Sequence, residues 1–189
     1  MRCTPPSHSS RARGWAAILA VWLLLPAVAR GQETLEAPLK ASFLYRFGDF
    51  VEWPAGTFPA PDSPLNICVV GEDVFGKVLD DAVAGEQAAG RPLAVYRLDA
   101  LDPGAACHIA YLAGSEAQSV EAALLTADRA PILTVTDEAN GAARGAVHFE
   151  VVDDRVRFHV DEQAASRNGL AVSSRLLSIA LTVNQPRAP

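Results

Sequence analysis

Residues 65–83 read LNICVVGEDVFGKVLDDAV, and this segment sets the fold class. Its first part, LNICVV, is nearly all apolar and lies between Pro64 and Gly71, which is typical of a strand buried on both faces. The second part has apolar residues at helical spacing, and Asp73 stands where it would cap the helix. A buried strand followed by a helix is the unit from which parallel sheets are built.

The same alternation continues as far as residue 137. Three further strands are predicted at LAVYRL (93–98), ACHIAYLA (106–113) and PILTVTD (131–137). A helix is predicted at SVEAALLTA (119–127), started by Ser115 with Gln118 three residues later. Strands that alternate with helices pair in parallel and are covered on both faces.

The pattern changes at GAVHFEVVDDRVRFHV, residues 145–160, which predicts an antiparallel hairpin with its turn at Asp153 and Asp154. Strand alternation then fixes which residues face each other. The apolar face pairs Val147 with Val160, Phe149 with Phe158 and Val151 with Val156; the other face pairs His148 with His159 and Glu150 with Arg157. The predicted fold class is therefore α/β, a single domain with a mixed, largely parallel sheet flanked by helices and a C-terminal antiparallel hairpin.

The chain after the hairpin is predicted to form a short helix that ends at Asn168 and Gly169, a pair suited to a helix C-cap. SSRLLSIALTV (173–183) follows as a further helix or strand, and residues 185–189 are predicted to form a disordered tail.

Residues 42–54, SFLYRFGDFVEWP, are rich in aromatic side chains. The spacing predicts a helix that starts near Pro38 and ends at Trp53, because the residue before a proline is disfavoured in a helix. Its apolar stripe contains Leu39, Phe43, Phe47, Phe50 and Val51, and Lys40 at the entrance can extend its ammonium group to solvent. Tyr45 points away from this stripe and Trp53 lies off its edge. We therefore interpret Tyr45 and Trp53 as candidate partner-binding residues.

The N-terminal segment, residues 1–31, has the pattern of a signal peptide. Arginines precede an apolar run at residues 15–28, which is shorter than the ~20 residues that span a bilayer. Small residues permit cleavage after Ala29 or after Gly31, and an uncleaved anchor is the alternative. The prediction is an exported, periplasmic protein whose domain covers residues 32–184, with no membrane insertion after cleavage.

The negative charge of the chain argues against two kinds of partner, nucleic acid and anionic lipid. The whole chain has a formal net charge of −6, and the leader removes arginines but no acidic residue, so the mature chain is more acidic still. Binding to nucleic acid or to anionic lipid requires clustered Lys and Arg, and neither partner is expected.

Two cysteines, Cys68 and Cys107, remain after the leader is removed. In an oxidising compartment such a pair forms one disulfide. In the chain-entropy model, closing this loop stabilises the folded state by about 4 kcal/mol. Two free buried thiols are an alternative. A metal site with His108 is another, but adjacent side chains in a strand point to opposite faces, which disfavours it.

Catalytic and cofactor motifs are not found in the sequence. The segment from Gly71 to Val78 resembles a phosphate-binding loop, but Val78 stands where Ser or Thr would hold magnesium, and nearby acids repel phosphate. His148 and His159 could share a metal ion only with a third ligand, and Glu150 is expected to pair with Arg157, so both are interpreted as solvated surface histidines. The protein is predicted to have no enzymatic activity, no catalytic residue and no cofactor.

The order of motifs resembles the YfiR-like (DUF4154) family of periplasmic regulators. The resemblance covers about residues 38–181 and rests on LKASFLYRFGDFVEWP, LNICVVGEDVFG, CHIAYLAGS, PILTVTDE, VHFEVVDDRVRFHVD and GLAVSSRLLSIA. It implies a homodimer that binds the periplasmic domain of an inner-membrane diguanylate cyclase and represses it, which lowers cyclic di-GMP and biofilm formation. Envelope stress or a redox change would release the repression.

The resemblance also assigns residues. The family's disulfide near the first strand maps onto Cys68 and Cys107, whereas a second cysteine pair found in some relatives is missing here. Any redox switch that depends on the second bond is therefore not expected, and no catalytic residue is transferred.

A periplasmic sensor or binding protein for a small ligand is the alternative function. Parallel α/β sheets bind ligands at the carboxyl ends of their strands, which would place residues 71–76 near the site.

Overall fold

The structure is a computed structural model that describes residues 33–185. The predicted signal peptide, most of the predicted tail and the first residue of the predicted domain lie outside these residues. Within residues 33–185, none of the helices is both long enough and apolar enough to cross a bilayer.

The chain begins with helix α1, Glu33–Arg46, which is followed by a short 3-10 helix, Phe47–Phe50, and strand β1, Val51–Glu52. The helix starts earlier than predicted, and Pro38 lies inside it. It also ends earlier than Trp53. At Gly48 an added Cβ would lie 2.9 Å from side-chain atoms of Leu65 and Ala88, so the chain is closely packed where the helix tightens. Val51 then becomes extended because it pairs with Val172.

The buried face of α1 differs from the predicted stripe. Tyr45 is 5 % exposed and belongs to the core, whereas Leu39 is 44 % exposed. Both predictions were wrong for the same reason: α1 packs against a second helix as well as against the sheet, so the buried face is wider and rotated. Phe43 and Phe47 pack against the rings of Phe149 and Phe158, as expected of core residues.

The remaining elements alternate as predicted through the first half of the domain. They are β2 (Leu65–Gly71), α2 (Lys77–Val83), β3 (Gln87–Ala88), β4 (Arg91–Leu98), β5 (Ile109–Gly114), α3 (Val120–Thr126), β6 (Leu133–Asp137), β7 (Val147–Val152), β8 (Arg155–Asp161), α4 (Glu162–Arg167), β9 (Ala171–Val172), α5 (Ser174–Ile179) and β10 (Val183–Asn184). The predicted segment 173–183 therefore contains both a helix and the start of a strand.

Eight strands form the main sheet, in the order β10-β8-β7-β6-β5-β2-β4-β3, and β1 pairs with β9 separately. The pairs β4-β2, β2-β5, β5-β6 and β6-β7 are parallel, while β7-β8 is antiparallel. One core cluster contains Leu44, Val69 and Phe149, and a second contains Val70, Leu112 and Val120. Adjacent residues of β2 thus belong to different clusters, which is expected of a strand covered on both faces. The predicted fold class is confirmed.

The hairpin has the predicted register at every pair, from Val147 with Val160 to Val151 with Val156. Asp153 and Asp154 form its turn with φ angles of 50° and 57°. Positive φ at both central residues is the conformation that a tight hairpin requires, and Asp tolerates it better than most residues.

Two predicted helix starts were wrong. The oxygen of Asp73 accepts bonds from Phe75 N and Gly76 N, which makes a turn ahead of α2 rather than a cap on it. Ser115 makes a similar turn, and the side chain that caps α3 is Ser119. The C-cap of α4 at Asn168 and Gly169 is confirmed, since Gly169 has φ 74° and Leu170 N bonds to Ala165 O.

Candidate functional site

The side chain of Lys40 reaches from α1 to the carboxyl-terminal edge of the sheet. Its Nζ atom lies 2.5 Å from Glu36 Oε1 and 2.5 Å from Asp137 Oδ2. The side chains of Lys40 and Asp137 are 6 % and 3 % exposed, so this ion pair is buried, whereas Glu36 is 40 % exposed. The predicted position of the Lys40 ammonium in solvent was wrong, because Asp137 faces it from the end of β6.

Asp137 has further hydrogen-bond partners. Tyr111 on β5 donates its hydroxyl to Asp137 Oδ2 at 3.1 Å, and Ala139 N donates to Oδ1 at 3.0 Å. Asn140 Nδ2 donates to the Tyr111 hydroxyl at 3.2 Å. Burial, and next the charge of Asp137, raise the pKa of Tyr111 far above its ordinary value. Tyr111 is therefore a neutral hydroxyl at physiological pH and remains a donor to Asp137.

A cavity of about 360 Å³ opens at this cluster. Its walls are α1, the loop after β2 and the ends of β5 and β6, with Glu36, Ala37, Lys40, Val74, Phe75, Tyr111, Asp137, Ala139 and Asn140 as lining residues. The volume is within the range of small-ligand sites, and apolar walls with a few polar groups are typical of them. Two carboxylates face one ammonium, so the cavity favours a ligand that carries hydrogen-bond donors or positive charge.

The cavity lies beside the point where the strand order reverses, because β2 has β4 on one side and β5 on the other. Ligands of open α/β sheets bind at such a point. Here the backbones of Gly71 and Gly114 touch: a Cβ on Gly71 would lie 2.2 Å from Gly114 O, and Glu72 N bonds to Gly114 O at 2.9 Å. This contact closes the crevice between β2 and β5, and the open space is displaced toward β6.

The loop that resembles a phosphate-binding loop is held by hydrogen bonds from Arg97, a residue of β4. Arg97 on β4 donates to Asp73 Oδ2 at 2.6 Å, to Asp80 Oδ2 at 2.8 Å and to Gly76 O at 2.8 Å, while Lys77 pairs with Asp81. Burial raises the pKa of Asp73, but hydrogen bonds from Arg97 and from backbone amides outweigh it and lower the pKa overall. The loop is thus an acidic turn fixed by Arg97, a distant residue that no local motif identifies.

Trp53 packs within the loop that follows β1. Its ring meets Phe58 edge-on at 5.9 Å, and Phe58 stacks on His108 at 4.3 Å. The guanidinium of Arg91 lies 3.8 Å from the centre of the Phe58 ring and also donates to three carbonyl groups of the loop. Trp53 is partly buried, and its indole N–H makes no hydrogen bond within residues 33–185. The ring therefore anchors the loop and leaves part of its surface open.

The disulfide between Cys68 and Cys107 is present, with the two Cα atoms 5.8 Å apart. It joins the middle of β2 to the loop that enters β5, and both residues are buried. Both cysteine sulfurs are used in this bond and do not form the alternative metal site with His108, whose Nδ1 accepts a hydrogen bond from Asn66 N at 2.9 Å. Burial, with Arg91 as a smaller cause, lowers the pKa of His108.

The prediction that His148 and His159 are solvated surface residues was wrong. His148 is 3 % exposed, and its Nδ1 bonds with Thr136 Oγ1 at 2.9 Å. His159 bonds through Nε2 with Glu150, so Glu150 faces Arg157 in register but pairs with the histidine instead. The expectation failed because β6 and β10 extend the sheet on either side of the hairpin. Among residues 33–185, no three His, Cys, Asp or Glu side chains form a group that could hold a metal ion.

The sequence contained a partial signal for the buried cluster. Lys40 is four residues before Leu44 and seven before Phe47, which puts a lysine on the buried side of α1. Asp137 ends an otherwise uncharged strand, at the edge where parallel α/β sheets place polar groups. Their pairing requires knowledge of how α1 crosses the sheet, which no local pattern supplies.

A scan against models of protein families matches residues 37–181 to the model described as YfiR/HmsC-like, DUF4154. A search of curated proteins finds no match. The matched segment begins inside α1 and ends after α5, and it includes Lys40, Tyr111, Asp137 and both cysteines of the disulfide.

Proposed function

Because the chain belongs to the YfiR/HmsC-like family, we propose that it is a periplasmic regulator that binds the periplasmic part of an inner-membrane diguanylate cyclase and represses it. The observation that carries this proposal is the family match over residues 37–181, which includes nearly all of the described fold. Repression would lower cyclic di-GMP and biofilm formation.

The proposal includes export. Residues 1–31 would act as a signal peptide, and residues 32–184 would form the regulatory domain. The buried disulfide supports this location, because disulfides persist in oxidising compartments and are rare in the cytosol.

Regulation follows from differential binding. A repressor that binds the inactive state of the cyclase more tightly than the active state shifts the population toward the inactive state. This mechanism needs a binding surface and no catalytic group, and we propose a non-enzymatic homodimer.

Trp53 and Tyr45 remain our proposed partner contacts. Trp53 keeps part of its ring open, so a partner can reach it directly. Tyr45 is 5 % exposed, so a partner would reach only a small part of its ring, and its substitution would also disturb the core.

A small-ligand sensor is the second candidate, and the cavity of about 360 Å³ at Lys40 and Asp137 favours it. Thermal-shift measurements on the purified mature protein, with panels of amines and of carboxylates, test this function. A ligand that raises the unfolding temperature of the wild-type protein but not of Tyr111→Phe would support it. A panel without any such compound would speak against it.

Crosslinking in intact cells tests the leading proposal. A crosslinked complex with a membrane protein that carries a periplasmic region and a diguanylate cyclase domain is expected. Recovery of soluble periplasmic proteins alone would contradict it.

A further inference from the structure

An apolar groove lies between the start of α1 and the tip of the β7–β8 hairpin. Leu35 and Leu39 are four residues apart and lie on the same side of α1, while Val151 and Val156 face each other across the hairpin. These four side chains, with Glu36 and Asp154, line a cavity of about 310 Å³. Two apolar pairs from separate elements thus form one continuous surface.

Most of this surface is open to water. Leu35 is 74 % exposed, Leu39 is 44 % exposed and Val151 is 43 % exposed. Burial of apolar side chains is favourable in proportion to the apolar area removed from water, so three partly exposed side chains in one patch favour an occupant that covers them. Clustered exposure of this kind marks an interaction site, whereas single exposed apolar residues are ordinary.

The charges around the groove restrict what can bind. Among the described residues that line it, the charged ones are Glu36 and Asp154. The ammonium of Lys40 is buried and lies between Glu36 and Asp137, so one positive charge serves two carboxylates. Asp154 has no cationic partner among the lining residues that the structure describes. Arg155 and Arg157 lie on the opposite face of the hairpin by strand alternation. An occupant with basic residues beside an apolar ridge would complement this surface.

A second copy of the chain fits less well. A two-fold dimer uses the same patch on both subunits, which would bring Glu36 and Asp154 toward carboxylates of the same sign. These charges favour a different protein as the occupant.

We propose that this groove docks an amphipathic helix from the periplasmic part of the repressed cyclase, with Leu, Ile or Phe along its ridge and Lys or Arg beside them. A helix recognised in a groove presents apolar anchors at spacings of three and four residues, and the Leu35–Leu39 and Val151–Val156 pairs form the apolar walls that such anchors would contact. This inference rests on the function proposed above and names the surface that performs it.

The test replaces Leu35 and Leu39 with Asp in the full-length gene and returns it to a strain that lacks the gene. Leu125→Asp is the matched control, because Leu125 is 78 % exposed on α3, outside the groove. The wild-type protein and Leu125→Asp are expected to lower cellular cyclic di-GMP, whereas Leu35→Asp/Leu39→Asp is expected to leave it at the level of the deletion strain. The unfolding temperatures and periplasmic amounts of all three proteins are compared, so that loss of folding is recognised.

The conservative variant Asp154→Asn separates charge from folding, because Asn also tolerates the positive φ of this turn position. Weaker repression with an unchanged unfolding temperature is expected. Unchanged repression by both Asp154→Asn and Leu35→Asp/Leu39→Asp would overturn the inference and leave the proposed function standing. If the wild-type gene itself fails to lower cyclic di-GMP, the proposed function is wrong and the inference falls with it.

A photoreactive amino acid at position 39, compared with one at position 125, identifies the occupant. Capture of the cyclase from position 39 alone is expected. Capture of a second copy of this chain from position 39, or of the cyclase from position 125 alone, would overturn the inference.

Discussion

Lys40 from the N-terminal helix and Asp137 from the end of β6 form a buried ion pair, with Nζ 2.5 Å from Oδ2. The pair ties α1 to the carboxyl-terminal edge of the sheet. It thereby holds two features that we assign to function: the cavity beside Tyr111, and the apolar groove on the outer side of the same helix.

Replacement of Lys40 by Met is expected to destabilise the fold strongly. Removing one member of a buried ion pair leaves an uncompensated charge, which costs about 3–5 kcal/mol. The free energy of unfolding in urea measures this loss. Glu36→Gln is the control, because its pair with Lys40 is partly exposed and is worth less than about 1 kcal/mol.

A double variant separates the charge from the packing. Lys40→Met/Asp137→Asn removes both charges, so it is expected to be more stable than Lys40→Met alone. Equal stability of the single and double variants would show that the buried charge of Asp137 is not the cause of the loss.

Gly71→Ala is expected to be among the most destabilising single-methyl additions. Gly71 has φ 91°, a conformation in which an alanine is strained. In addition, the new Cβ would lie 2.2 Å from Gly114 O and clash with it. Gly104→Ala is the control, since Gly104 has φ 82° but no atom within 4 Å of the added Cβ. Strain alone costs about 1–2 kcal/mol. Similar urea midpoints for the two variants would contradict the close contact of Gly71 with Gly114.

Removal of the disulfide by Cys68→Ala/Cys107→Ala is expected to lower stability by about 4 kcal/mol, since the bond spans 39 residues and closes a loop of that size in the unfolded chain. Wild-type protein treated with reductant should show the same midpoint as the variant. A variant as stable as the oxidised wild-type protein would show that the bond is not formed in the purified protein.

Stability is expected to fall as the pH drops below 6.5, and His148 is expected to contribute to that fall. Burial, with Arg144 and His159 as smaller causes, lowers the pKa of His148, while Asp137 and Glu150 oppose the shift. The unfolded chain then binds a proton near pH 6.5, whereas the folded chain does so only at a lower pH. The stability contributed by the neutral ring is present above pH 6.5 and is lost as the pH falls through the folded pKa.

Thermal unfolding of wild-type protein and of His148→Asn, measured from neutral to mildly acidic pH, checks this effect. The variant should lose less stability over that range, although His108, whose pKa is also lowered, still contributes. Identical pH profiles would show that His148 does not contribute to the loss of stability at acidic pH.

The sequence predicted best where one local pattern determines the structure. Alternation along residues 145–160 fixed the hairpin register, because a shift by one residue would place Phe149 and Phe158 on the wrong face. Continuous apolar runs likewise identified the parallel strands.

Prediction failed where the conformation or burial of a residue depends on a partner that is distant in the sequence. Val51 leaves the helical conformation because it pairs with Val172, and His148 is buried because β6 continues the sheet beside it. The ion pair of Lys40 with Asp137 joins two segments whose proximity only the tertiary fold determines. The same holds for Leu39, which helical periodicity assigns to the core and which the path of α1 leaves in the groove.

Cellular cyclic di-GMP in a strain that lacks this gene decides whether the protein represses a diguanylate cyclase from the periplasm. The concentration is expected to rise on deletion, to fall when the full-length gene is restored, and to stay high when the restored gene lacks residues 1–31. An unchanged concentration after deletion, or full restoration by the leaderless gene, would contradict a periplasmic repressor.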